Sequence, residues 1–158
     1  MLTPYLNLLR RAGTLRFSSA GFVMRLQMSM LGLGVVLFLT IRGESYTVAG
    51  ALSAVGALGA AAVSPFLARA IDRYTQHRVL PMAVTFAVAV ISAFLVMVVL
   101  GAPAWTWFVL WTLGEAAIPN AGSLVRARWA YVLDQPQDVR TAFALESVFD
   151  ELIFVIGP

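Results

Sequence analysis

The sequence contains no cysteine and no lysine, and its single histidine is His77. Without cysteine there is no disulfide framework and no thiolate metal site. One histidine rules out a histidine-rich metal centre. No metal and no cofactor are therefore expected. The chain also lacks His-Glu-x-x-His, Gly-x-Gly-Asp and a serine nucleophile with a base, and His77 lies beside Arg78 in a polar joint. No catalytic residue is expected, and the chain does not read as an enzyme. Charge is scarce as well. Only 12% of the residues are charged, where a soluble domain carries about a quarter. All 11 basic residues are arginines. They are not gathered on a soluble face, so nucleic acid is not an expected partner.

What the sequence does have is apolar length, with 60% hydrophobic residues. Four runs approach the roughly 20 residues that a membrane-spanning helix needs. They cover about 17–41, 48–71, 79–101 and 104–125, and a fifth occupies 141–158. The predicted fold is all-α, a polytopic membrane helix bundle with the lipid bilayer as its surround. Residues 1–16, "MLTPYLNLLRRAGTLR", read as an interfacial segment with basic residues toward anionic lipid, and 17–158 as the transmembrane domain. The joints are short: "RGESYT", "DRYTQHR", "AP", and the longest, "RARWAYVLDQPQDVR". Spans so closely joined alternate in direction.

Alternation places Arg10, Arg11, Arg16, Arg69, Arg73, Arg78, Arg126, Arg128 and Arg140 on one side, and Arg42 alone on the other. The positive-inside rule makes the arginine-rich side, with the N-terminus, cytoplasmic. A multi-pass protein of the cell membrane is expected.

Charged groups within spans are costly, so each suggests function. Arg25 lies in span one, Glu115 in span four, and Glu146, Asp150 and Glu151 in span five. Glu146 has a bland explanation near a helix N-terminus, where the dipole favours an acid. Arg25 has one too, snorkelling to the interface. Arg25 and Asp150 come to similar depths, about 12–14 Å at helical rise, so they are expected to pair, with Glu146 able to share the arginine. Pro119 clashes with the carbonyl of Glu115 four residues back. A kink in span four is expected there, with Asn120 beside it and a polar cavity lining the bend. Span two is dense in small residues, among them Gly50, Gly56, Gly59 and Ala60, which let helix backbones approach closely in lipid. Asp72 at the end of span two needs arginine neighbours, and Arg73 and Arg78 are at hand.

Two of these stretches carry a family pattern. Asp72-Arg73 resembles the core of the Gly-x-x-x-Asp-Arg-x-Gly-Arg/Lys-Arg/Lys joint of the major facilitator superfamily of secondary transporters. Ala68 and Thr75 stand at its two glycine positions, and the basic pair is displaced to Arg78. Gly157-Pro158 matches the end of the Gly-x-x-x-Gly-Pro pattern in span five of many exporters of that superfamily, with Ile153 at the first glycine. The string "AFALESVFDELIFVIGP" is similar to span five of a group of actinobacterial permeases. The arginine that many proton-coupled exporters carry in span four has no counterpart in "FVLWTLGEA".

The resemblance implies a secondary active transporter that exports a small molecule by alternating access. Alternatives are an uptake symporter of the same superfamily and a non-transporting membrane scaffold subunit. It also implies the first four and a half spans of a six-helix N-terminal bundle, hence a fragment. The partners implied are a small-molecule substrate, the missing remainder of the transporter and a coupling proton. Arg25, Glu115, Asn120, Glu146, Asp150 and Glu151 are the cavity candidates. Asp72, Arg73 and Arg78 form the loop motif, and Pro119, Gly157 and Pro158 serve kinking or packing.

Overall fold

The computed structural model describes residues 3–11 and 13–157. Among them there is no strand, and seven helices follow in order: α1 (Thr3–Leu9), α2 (Thr14–Ile41), α3 (Tyr46–Tyr74), α4 (Gln76–Val99), α5 (Ala104–Ala116), α6 (Ala121–Val132) and α7 (Pro136–Ile156). α2, α3 and α4 are each long and apolar enough to cross a bilayer, and they mark the chain as a membrane protein.

Local chemistry sets the boundaries. α2 stops where Gly43 takes φ +91°, and α4 where Gly101 takes φ +69°. At the second stop the Gly101 N–H donates to the Val98 carbonyl and the Ala102 N–H to Met97, closing the orphan carbonyls. α3 is capped by the Ser45 hydroxyl, which accepts from the Val48 N–H at 3.2 Å. α7 opens on Pro136 with Asp138 in its first turn, a proline and an acid where each is favoured.

Two joints differ from the sequence reading. The stretch from Trp129 to Arg140 is not an extended loop, because α6 runs to Val132 and α7 starts at Pro136. The helical preference of "RARWAYV" continues beyond the apolar run that sequence hydropathy detects. The joint at Tyr74–Arg78 shrinks to Thr75, whose φ of 71° turns the chain sharply between α3 and α4.

The predicted kink in span four is a full break. α5 ends at Ala116, residues 117–120 leave the helix, and α6 starts afresh at Ala121. The Glu115 carbonyl is not left free, since it accepts from the Ile118 N–H at 3.1 Å. Asn120 caps the new helix, its Oδ1 accepting from the Ser123 N–H at 3.1 Å. With 13 residues, α5 is only about 20 Å long, short of the roughly 30 Å of bilayer hydrocarbon.

The chain forms two compact units, one of Met1–Gly34 with Asn120–Pro158, the other Val35–Pro119. In the second unit α5 packs against both α3 and α4. Trp111 lies 5.1 Å from Phe94 between ring centroids, and its Nε1 would meet a Cβ on Gly56 at 2.5 Å. A Cβ on Gly59 would overlap Thr112. The small residues of span two thus admit the bulky face of α5.

In the first unit the buried residues of α2 recur as Thr14, Ser18, Gly21, Arg25 and Ser29. That spacing is one stripe of a helix, and it is nearly all polar. Gly21 meets Val125 of α6, and Gly157 at the end of α7 meets Ser29. Leu8, Val125, Trp129, Leu133 and Ala142 form an apolar cluster at one end, with Phe17, Val139 and Phe143 against it. α1 is held there by Leu8 and by the ion pair of Arg11 with Asp138 at 2.5 Å.

Candidate functional site

The polar stripe of α2 faces the acids of α7. Arg25 and Glu146 are both fully buried, with Arg25 Nη2 2.7 Å from Glu146 Oε2. The other oxygen of Glu146 accepts two hydrogen bonds, from Trp129 Nε1 at 2.7 Å and from the Ser18 hydroxyl at 2.9 Å. Three helices therefore converge on one carboxylate. The N-terminal dipole does not account for Glu146, because α7 begins at Pro136, nearly three turns earlier.

Asp150, one turn further along α7, bridges two arginines. Its Oδ2 accepts from Arg126 Nη2 at 2.5 Å, and its Oδ1 lies 3.4 Å from Arg25 Nη1. The pairing expected between Arg25 and Asp150 is thus the longer of the two contacts Arg25 makes. Its nearer acid is Glu146, and Asp150 belongs chiefly to Arg126. Two guanidinium groups face two carboxylates, so the cluster is charge-balanced, as burial requires.

The alignment within this cluster is incomplete. Arg25 meets its acids at ion-pair distance, yet none of its three guanidinium nitrogens makes an aligned hydrogen bond, and Glu146 Oε2 likewise accepts none. Proximity and charge hold the arginine, and its N–H directions remain unused. Arg126 and Asp150 form the accessible edge, with side chains 32% and 31% exposed, against none for Arg25 and Glu146.

The remaining sequence candidates fall elsewhere. Glu151 is exposed on α7 and takes no part in the cluster. Asn120 is exposed and serves as the α6 cap. Glu115 belongs to the second unit, half-buried near Trp111 and 3.1 Å from the Cβ position of Gly56. In the same unit Trp107 Nε1, Trp111 Nε1 and Thr112 Oγ1 are buried without a hydrogen-bond partner. Asp72, Arg73 and Arg78 are exposed and form no ion pair with one another, so the arginine neighbours expected for Asp72 are absent. Arg73 instead lies over the Tyr74 ring at 5.3 Å. Pro119 is buried in the break. Gly157 ends α7, its N–H donating to the Ile153 carbonyl at 2.9 Å. Pro158 lies outside the described residues. No group of three or more metal-ligating side chains occurs among the described residues.

Ser18, Arg126 and Trp129 complete the cluster and were not singled out in the sequence. Arg126 and Trp129 read as the start of a joint because hydropathy falls after Val125. The signal for them is the three-residue and four-residue spacing of Gly122, Arg126 and Trp129 on a continuing helix. Ser18 shows the same way, seven residues before Arg25.

No family model matches the chain, and neither does a curated protein or a solved structure.

Proposed function

We propose that the chain is part of a secondary active transporter that exports a small molecule across the cell membrane by alternating access, with Arg25, Glu146, Arg126 and Asp150 as its polar centre. The observation that carries this reading is the charge-balanced cluster itself, carried by α2, α6 and α7 with Arg25 and Glu146 fully buried in it. Ionisable groups are expensive at membrane depth and serve substrate or ion pathways there. Interrupted helices are tolerated where they line a cavity, and transporters place binding sites at such interruptions. The resemblance of Asp72-Arg73 and Gly157-Pro158 to the major facilitator superfamily supports the same reading. So does the arginine distribution, which favours a cytoplasmic N-terminus. The exposed side of the cluster at Arg126 and Asp150 is where a substrate or a coupling proton would arrive.

The test is a comparison of three strains: one lacking the gene, one carrying it at its natural locus, and one carrying Arg25→Ala there. Under a panel of toxic small molecules, the deletion strain is expected to be hypersensitive to at least one chemical class. The Arg25→Ala strain should match the deletion although its protein reaches the membrane. Everted membrane vesicles should accumulate the same class in the wild-type strain only. Equal sensitivity of all strains, with equal vesicle uptake, would contradict the transport reading. Accumulation in right-side-out vesicles alone would reverse its direction.

A further inference from the structure

The apolar cluster at one end of the first unit is ringed by arginines. Arg16 precedes Phe17, Arg128 precedes Trp129 and Arg140 follows Val139, and each of these three neighbours belongs to that cluster or packs against it. The Phe17 and Trp129 rings meet edge to face, 4.7 Å between centroids. Each apolar side chain turns inward, so the arginine beside it, about 100° round its helix, turns outward. All three arginines are exposed, and none makes an ion pair among the described residues. Arg10 and Arg11 follow α1 at the same end, and there Arg11 alone is paired, with Asp138. The acids of this end are Asp134 and Asp138, so positive charge is in excess.

This surface is not purely polar. Leu15, beside Arg16, is 59% exposed and Tyr131 is 82% exposed. The Arg128 guanidinium lies over the Tyr131 ring, 5.7 Å from its centroid. Stacking uses the face of the guanidinium and leaves its N–H edge free to donate. Arg16 stands two residues into α2, a helix long and apolar enough to cross a bilayer.

We infer that this end of the unit is seated among anionic phospholipid headgroups, with Arg16, Arg128 and Arg140 donating to lipid phosphates and Leu15 and Tyr131 reaching toward the acyl chains. The sign of the charge selects anionic lipid. The guanidinium fork matches the paired oxygens of a phosphate. Direction selects a layer over a single ligand. The three arginines leave a common core from three different helices, and a headgroup layer meets all of them where one small soluble anion does not. The exposed apolar side chains select lipid over a soluble polyanion, because tyrosine and leucine beside arginine suit the membrane interface. The inference does not rest on the transport reading, since it concerns the outer face of the unit.

A fluorophore on Ser19→Cys, exposed and close to one turn beyond Arg16 in the cysteine-free chain, reports the nearest lipids. The protein is reconstituted in phosphatidylcholine vesicles doped with phosphatidylglycerol or phosphatidylcholine carrying a nitroxide near the headgroup. The phosphatidylglycerol nitroxide should quench about twofold more strongly. This excess should fade in about 1 M sodium chloride, where the Debye length is about 3 Å. It should also vanish in the triple variant Arg16→Gln, Arg128→Gln, Arg140→Gln, whose helical content is expected to persist because all three side chains are exposed and unpaired. Equal quenching by the two lipids, or an excess unchanged by salt or by the triple substitution, overturns the inference. Replacing chloride by inorganic phosphate at constant ionic strength should leave the excess in place. Its loss would assign the arginines to free phosphate and overturn the lipid assignment.

Discussion

Arg25 Nη2 and Glu146 Oε2 lie 2.7 Å apart with neither side chain exposed. Breaking such a pair leaves an uncompensated buried charge, which costs about 3–5 kcal/mol. Arg25→Met and Glu146→Leu should each destabilise the purified protein by about that amount. The double variant should lose less than the sum of the two. Denaturant titration in detergent measures all three, and strictly additive losses would contradict a direct interaction.

Trp129 supports the same carboxylate from its indole N–H at 2.7 Å. Trp129→Phe retains much of the ring volume and removes the donor. A hydrogen bond to a charged group is worth about 1.5–3 kcal/mol, and a loss of that size is expected. A comparable loss in the Glu146→Leu background would show that the indole acts through packing alone.

Glycines of α3 separate into two kinds. A Cβ on Gly56 would lie 2.5 Å from Trp111 Nε1, while nothing stands within 4 Å of one on Gly50. Gly56→Ala should cost about 1–3 kcal/mol through overpacking. Gly50→Ala should be neutral or gain up to about 1 kcal/mol from helix propensity. Equal effects at the two positions would contradict the packing of α5 on α3.

Thr75 has a φ of 71°, in the region that favours glycine. A β-branched residue is strained there, by about 1–3 kcal/mol. Thr75→Gly is expected to raise the melting temperature despite the added freedom of the unfolded chain. A lowered melting temperature would show that Thr75 is unstrained.

The helical class and the three long apolar helices were legible because hydropathy and length report them directly. The charged residues of the cluster were partly legible, since Arg25, Glu146 and Asp150 stand out against apolar neighbours. Their pairing was not. Depth along a helix favours Asp150 over Glu146 by about 6 Å, one helical turn, and it misleads because the choice turns on a third partner. Arg126 claims Asp150, and it does so only because Pro119 resets the chain and α6 continues to Val132. Hydropathy places Arg126 at a joint, whereas the Asn120 cap places it inside a helix. Asp72 shows the opposite failure, a sequence neighbour mistaken for a contact, because Arg73 next to it points toward Tyr74.

Transport through the cluster requires it to lie within the bilayer, and the cysteine-free chain makes its depth directly measurable. Val148 lies between Glu146 and Asp150 on α7 and is 53% exposed. A spin label on Val148→Cys in reconstituted vesicles reports depth from its collisions with oxygen and with a water-soluble nickel complex. Oxygen collisions should dominate, at a depth of about 10 Å or more below the headgroups. Dominant collisions with the nickel complex would place the cluster in water and contradict the account.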